Sequence, residues 1–462
     1  MQQRNRDNTT TRILVPTGAL GISFAEQAFA RGVGAKPDII CVDGGSTDSG
    51  PYYLGAGTSK YSRAVTKAEW RQLMIARAEG DVPLVIGTCG TCGADASVDW
   101  MLSITREIAE ELGQTVKVAT LYSSQPVERV QDALRNGRIA PLTPAPDISE
   151  DSLGECTNIV ALAGAEQISA ALDTGADIVL AGRATDTAIV SALALRRGDH
   201  AGAAWHGAKI AECGALCSTE PTSGVILLDI DQEGFTVEPM AKDARCTPHS
   251  VSAHMLYENA DPFILYEPGG YLDVTEARYH ALDDRRVRVT GSHWAPSDQY
   301  TVKLEGARIG GYQTTIMAVL RDERYVANAR EWIEKLHRFV TNEIEKRMAL
   351  TPSDYDLEFR LIGVDSALGA LETKPSNPAE IGVLGVITAP DAETASEIGK
   401  LINPYVLHYP LTQDEELPTF AFPHSPAQSE RGALYEFCLN HVMILDDPMD
   451  AFRLEVIEVG HG

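Results

Sequence analysis

Short runs of Val, Ile and Leu recur through the first half of the chain, each followed by a glycine-bearing turn and then a stretch of helical spacing. The runs are Arg12–Pro16, Asp38–Val42, Pro83–Ile86, Val116–Leu121 and Asp177–Leu180. They are continuous rather than alternating, the pattern of strands covered on both faces. Between them the spacing predicts helices over Ile22–Arg31, Lys67–Glu79, Val98–Leu112, Pro126–Asn136 and Glu166–Asp173. Strand alternating with helix implies a mostly parallel sheet with helices on both sides, a Rossmann-like α/β domain.

The pattern changes near Gly224. From "GVILLDID" to "YTVKLEGARIGGYQTTIMAVL" the strands lengthen and alternate in antiparallel fashion, with one short helix around Ser250–Asn259. After Arg321 a long helix carries Val326, Trp332, Leu336, Val340 and Ile344 at 3.6-residue spacing. Two strands, "YDLEFRLIGV" and "EIGVLGVITA", a helix from about Ala392 to Leu401, and the strand-like "LYEFCLNHVMIL" follow. The order strand–helix–strand–strand–helix–strand is that of a ferredoxin-like, split βαβ plait. The expected division is therefore an α/β domain over 1–225 and an α+β domain over 226–462 ending in the plait.

Composition narrows the partners. The chain has 462 residues and a formal net charge of −26, without a basic block. Nucleic acid and anionic membrane surfaces are disfavoured by that charge. No stretch approaches the roughly 20 apolar residues of a membrane helix, and the N-terminus lacks a signal-peptide core. The expected location is the cytoplasm, where the eight cysteines would stay as free thiols.

In a parallel α/β sheet, ligands gather beyond the C-terminal strand ends. Four loops stand there: "TGALG" (Thr17–Gly21), "DGGSTDSGPYYLG" (Asp43–Gly55), "GTCGTCGAD" (Gly87–Asp95) and "GRATDTA" (Gly182–Ala188). Any one is ordinary turn chemistry, but four on one edge predict a polar pocket lined by backbone amides. Gly44, Gly45, Ser46, Thr47, Gly87, Thr88, Cys89, Gly90, Thr91 and Thr185 are the expected substrate-binding residues, with Arg183 as a fork for a carboxylate. Asp43, Asp48, Asp186 and His249 are the expected proton-transfer groups. The bland readings are a helix cap at Ser46 or Thr47 and an Arg183–Asp186 pair that only shapes its loop. Asp95 either caps the next helix or faces the substrate.

No loop has the G-x-x-x-x-G-K-[ST] spacing of a triphosphate site, and "TGALGISFAEQA" lacks the dinucleotide spacing. Cys89 and Cys92 form a C-x-x-C that Cys213 and Cys217 match poorly as a zinc set. They read as wall residues, Cys89 being the candidate thiolate. His249 and His254 are five apart and do not share a helix face. No organic cofactor is expected, and a divalent metal is the alternative should carboxylates cluster. His408, His424 and Arg431 belong to a lid or an interface.

"VDGGSTDSGPYYLG", "GTCGTCGADASVDW", "ECTNIVALAGAEQI", "DIVLAGRATDTA", "TPHSVSAHMLYENADPF" and "EGARIGGYQTT" occur in this order. Together they resemble the acyclic terpene utilisation (AtuA-type) family, from about Ile13 to Ala318 with an extension through the C-terminal plait. The resemblance implies bacterial catabolism of branched terpenoid acids and related carboxylates, beside hydratases and acyl-CoA enzymes. It implies no catalytic residue set. Related sequences are expected to carry smaller residues at Cys89 and Cys92, which weakens an obligatory thiol role. The expected function is an enzyme of small carboxylates or their acyl thioesters, a hydratase or hydro-lyase. A proton-shifting isomerase and a non-catalytic acyl-binding subunit are the alternatives, and the plait suggests a homo-oligomer.

Overall fold

A computed structural model describes residues 10–460. The chain divides into two compact units, one of residues 1–308 with 437–462 and the other of residues 309–436.

The first unit is built on a ten-stranded sheet. Its five central strands, Thr11–Val15, Ile39–Asp43, Leu84–Gly87, Ile178–Ala181 and Val116–Tyr122 in spatial order, are parallel. All five were legible as apolar runs, and the reason is burial on both faces. Ile13, Val15, Ile39, Cys41, Val85 and Val179 point to one core. Their neighbours Leu14, Ile40, Val42, Leu84, Ile86 and Ile178 point to the other. The two-residue alternation of strand side chains thus places an apolar residue at every position. Helices Glu26–Gly34, Arg63–Gly80 and Asp95–Leu112 supply the second core through Phe29, Trp70, Leu73 and Met101. Helices Ala165–Asp173, Asp186–Arg197 and Ala201–Ala211 supply the first. The last two lack an amphipathic stripe because they are buried almost all round. Gly202 permits this, since a Cβ there would stand 2.4 Å from the Ser292 carbonyl oxygen.

Ile226–Ile230 continues the sheet antiparallel to Thr11–Val15, and Gly234–Pro239, Val287–Thr290 and Arg278–Ala281 follow outward. The change of pattern near residue 225 is therefore a change of strand direction within one sheet and lies inside the first unit. At the opposite edge Arg453–Val459 pairs antiparallel with Val116–Tyr122.

In the second unit Asp356–Ile362 pairs with Ile381–Ala389, which pairs with residues 312–320 of the strand Tyr300–Leu320. Gln428–Leu445 lies beside the latter strand. Helices Ala329–Met348 and Ala392–His408 complete the order strand–helix–strand–strand–helix–strand. Trp332, Leu336, Val340 and Ile344 are fully buried with Ile316, Val383 and Ile387, as their spacing requires. No helix among the described residues is long and apolar enough to cross a membrane.

Candidate active site

Beyond the C-terminal ends of the parallel strands of the first unit lies a cavity of about 450 Å³. Three of the four loops reach it. "TGALG" contributes Thr17, Gly18 and Ala19, "DGGSTD" contributes Asp43, Gly45, Ser46 and Asp48, and "GRATDTA" contributes Asp186. Ile22, Leu216, Pro221 and Tyr257 form an apolar rim, and Lys60, Tyr61, Cys213 and Glu258 complete the polar wall.

Asp43 is the last residue of its strand and is buried. Its Oδ2 accepts the Gly45 amide at 2.8 Å, while its Oδ1 is buried without a hydrogen-bond partner. Burial and then the nearby Asp186 carboxylate push the Asp43 pKa well above the carboxylate range, against the pull of Arg183. Asp186 opens the helix Asp186–Arg197 behind the Thr185 cap. Burial raises its pKa also, but Arg183 and Lys209 oppose the rise. Both acids are thus held above their ordinary range; Arg183 opposes the rise at each, and Lys209 does so at Asp186 as well.

A matching family profile covers residues 85–420 and describes the acyclic terpene utilisation family protein AtuA. The chain belongs to the AtuA family. No curated protein and no solved structure matches it.

In this member of the family the "GTCGTCG" loop has another task than the one its glycines suggested. The Thr88, Cys89 and Thr91 amides donate to Gly182, Ala181 and Thr88 carbonyls, and the Gly93 amide donates to the Cys89 carbonyl. These amides are engaged by backbone carbonyls. Gly87 packs under Ile189, and a Cβ at Gly93 would stand 2.2 Å from the Arg183 nitrogen. The loop is tightly coiled: Gly90 and Gly93 have positive φ, and so do Thr88 (48°) and Thr91 (79°), a costly conformation for a β-branched residue. Thr88 Oγ1 is bonded by Arg183 Nη1 and donates to the Ala184 carbonyl, which ties the strained turn to the "GRATDTA" loop. None of Gly87, Thr88, Cys89, Gly90 and Thr91 lines the large cavity. Cys89 and Cys92 are fully buried, and burial pushes the Cys89 thiol up, away from a reactive thiolate. Asp95 does not line the cavity: its Oδ1 accepts the Ser124 amide at 2.9 Å.

Arg183 is also engaged. Its guanidinium grips Glu305 through Nε (3.0 Å) and Nη2 (3.3 Å), with both side chains buried. The expected substrate fork is filled by a protein carboxylate, and the partner is Glu305 rather than Asp186. Thr47 Oγ1 donates to Glu305 Oε2 at 3.2 Å, so the pair fastens the "DGGSTD" loop from beneath. The Gly44 amide donates to the Gly87 carbonyl. Thr185 accepts the Ala188 amide as a helix cap. Neither of these, nor Thr47, lines the cavity.

His249 is exposed on the helix Pro248–His254 and is not part of the cavity wall. The buried histidine there is His254, whose pKa burial lowers to about 4. Behind Asp186 lie further buried ionisable groups. Lys209 donates to Glu212 at 2.6 Å. Burial lifts Glu212 to about 8 and Glu267 to about 7. Among the described residues no group of three or more His, Cys, Asp and Glu is arranged to hold a metal ion.

Sequence reasoning missed Glu305, Lys60, Tyr61 and the Lys209–Glu212 pair. The signal for Glu305 was present: an acidic residue between Leu304 and the small Gly306 and Ala307, in a strand whose neighbours are buried.

Proposed function

We propose that this protein is a hydro-lyase that adds water reversibly to an α,β-unsaturated acyl thioester with an apolar chain. The observation that carries the reading is the pair Asp43 and Asp186 lining one cavity, both raised by burial, Asp43 well above its ordinary range and Asp186 against the opposing pull of Arg183 and Lys209. General acid–base catalysis of hydration needs a proton donor and a proton acceptor together. In the hydration direction ionised Asp186 takes a proton from water as its oxygen bonds to the β-carbon. The electron pair of the double bond moves to an enolate, and protonated Asp43 delivers its proton to the α-carbon. Tyr61, whose phenol is held protonated by burial, is the proposed donor to the enolate oxygen.

Charge supports a thioester over a free carboxylate. Asp43, Asp48, Asp186 and Glu258 line the cavity with Lys60 as the one cation among its lining residues, and the Arg183 fork is occupied. A neutral carbonyl enters such a cavity at lower electrostatic cost than an anion. Ile22 (56% exposed), Leu216 (41%) and Tyr257 (42%) at the rim suit an apolar acyl chain.

The test is turnover of a panel of unsaturated and hydroxyacyl thioesters and the matching free acids, followed by loss of the conjugated absorbance and by NMR in deuterated water. The expected result is hydration of thioesters with deuterium at the α-carbon, lost in Asp43→Asn and Asp186→Asn. Deuterium exchange or double-bond migration without hydration would replace the reading with an isomerase. Thioester binding without any turnover would replace it with a non-catalytic acyl-binding subunit.

A further inference from the structure

Cys156 and Cys438 are 282 positions apart in the chain, yet their sulfurs lie 3.0 Å from each other. Cys156 begins the strand Cys156–Ala161 and Cys438 lies in Gln428–Leu445. Both thiols are half-buried, unlike the fully enclosed Cys41, Cys89 and Cys92. Space for the contact comes from Gly306: a Cβ there would approach the Cys438 sulfur to 3.3 Å and the Leu439 side chain to 2.7 Å. Arg308, opposite Cys156 in the strand register and ion-paired with Glu155 at 2.9 Å, places a cation beside the pair whose field the Glu155 carboxylate partly offsets. The hydrogen bond from Cys156 and then the field of Arg308 lower the Cys438 pKa, while the same hydrogen bond and burial raise that of Cys156. The arrangement is that of an attacking thiol with a resolving thiol beside it.

We infer that Cys156 and Cys438 form a reversible dithiol–disulfide site that is oxidised by low-molecular-weight disulfides of the glutathione class. The Cys438 thiolate attacks one sulfur of the oxidised tripeptide, forming a mixed disulfide and expelling one thiolate. The Cys156 thiolate then attacks the Cys438 sulfur, closing the protein disulfide and expelling the second. The two protein protons end on the two released thiols; the protein loses two electrons and the small disulfide gains them. The second step needs a resolving sulfur within contact of the first, which the two half-buried cysteines supply. The other close pair, Cys217 and Cys246, is buried and 4.0 Å apart, so a small disulfide cannot reach it.

The bond would lie in the first unit and join two strands far apart in sequence. Asn158, two residues after Cys156, donates to the Leu54 and Gly55 carbonyls at 2.9 and 3.2 Å. The cross-linked strand therefore backs the segment that follows "DGGSTD".

The experiment uses the full chain, reduced and then equilibrated with graded mixtures of reduced and oxidised glutathione, quenched by alkylation and mapped by mass spectrometry. The expected result is a fall from eight titratable thiols to six, a peptide pair joining Cys156 to Cys438, and recovery of all eight on return to reduced glutathione. Cys156→Ser should accumulate glutathione on Cys438 without a protein disulfide, and Cys438→Ser should lose the reaction. Because the wild-type map alone identifies the pair, the result stands even if a serine variant folds poorly. A cross-link through other cysteines, or eight unreacted thiols in fully oxidised glutathione, would overturn the inference.

Discussion

Replacing Glu305 by glutamine tests whether Arg183 is held by the protein or reserved for substrate. Glu305 is 5% exposed and Arg183 is 7% exposed, and Glu305 receives two guanidinium hydrogen bonds, one from Lys303 at 3.1 Å and one from Thr47. Burial alone would raise the Glu305 pKa, but Arg183 and Lys303 outweigh it and hold the carboxyl at about 2, against an ordinary 4.5. At 1.36 kcal/mol for each tenfold change in acidity, that depression corresponds to about 3 kcal/mol of folding free energy at neutral pH. The loss of one partner from a buried ion pair, leaving the other uncompensated, gives an independent figure of about 3–5 kcal/mol. The two agree, so Glu305→Gln should lower the unfolding free energy by about 3 kcal/mol at pH 7.

The pH dependence fixes the cause. A carboxylate whose folded pKa lies below its unfolded one contributes stability above the unfolded value and loses it as pH falls through the folded value. The difference between wild type and Glu305→Gln, measured by urea unfolding with circular dichroism, should be full above about pH 5 and shrink between pH 4.5 and 2. Adding Arg183→Met should restore part of the loss, because the stranded buried cation is removed. A difference below about 1 kcal/mol, or one that does not change with pH, would refute the assignment and return Arg183 to the role of a substrate fork.

Three further outcomes follow from the same geometry. Asp43→Asn should reduce turnover on the proposed thioester substrates by roughly 10²–10⁴-fold. It should also unfold no earlier than wild type, and the stability gap should widen in its favour as pH rises from 4 to 7, since burial holds the native carboxyl above its ordinary range; scanning fluorimetry across that range reads it. Gly93→Ala combines a φ of 66° with a Cβ 2.2 Å from backbone nitrogen, so it should cost more than about 2 kcal/mol or yield no soluble protein, as expression and urea titration will show. Cys89 and Cys92, both 0% exposed, should resist iodoacetamide in the native protein and react once it is unfolded; native labelling of Cys89 ahead of Cys438 would contradict the wall-residue reading.

The parallel strands were legible because burial on two faces writes an unbroken apolar run, and the helix Ala329–Met348 because burial on one face writes a stripe. Helices Asp186–Arg197 and Ala201–Ala211 were not, because a helix buried all round carries neither signal. The site divides in the same way. Asp43, Asp48 and Asp186 follow strand ends, where topology places residues from separate segments together, so local reading reached them. Which carboxylate takes Arg183 depends on a residue 122 positions away, and no local pattern encodes that choice. The glycines of "GTCGTCG" have two physical uses, turning amides outward or letting backbone approach backbone. The sequence is the same for both, and only the positions of Gly182 and Arg183 decide for the second.

The distribution of charge at this end of the sheet argues for function on thermodynamic grounds. A protein selected for stability alone would hold its buried acids in the ionised state, as Arg183 and Lys303 do for Glu305. Beside that satisfied pair, Asp43, Asp186, Glu212 and Glu267 all stand above their ordinary pKa values because burial outweighs their partners. Each lowers the stability of the folded state at neutral pH, and Lys209 is shared between Glu212 and Asp186. Such a concentration of carboxyls raised by burial, in and behind a cavity wall and beside a strained turn, is a local conflict with folding of the kind found at sites of chemistry. The ion pair and the strained loop tie "DGGSTD" and "GRATDTA" to one another beneath Asp43 and Asp186, through Thr47 on Glu305 and Thr88 on Arg183.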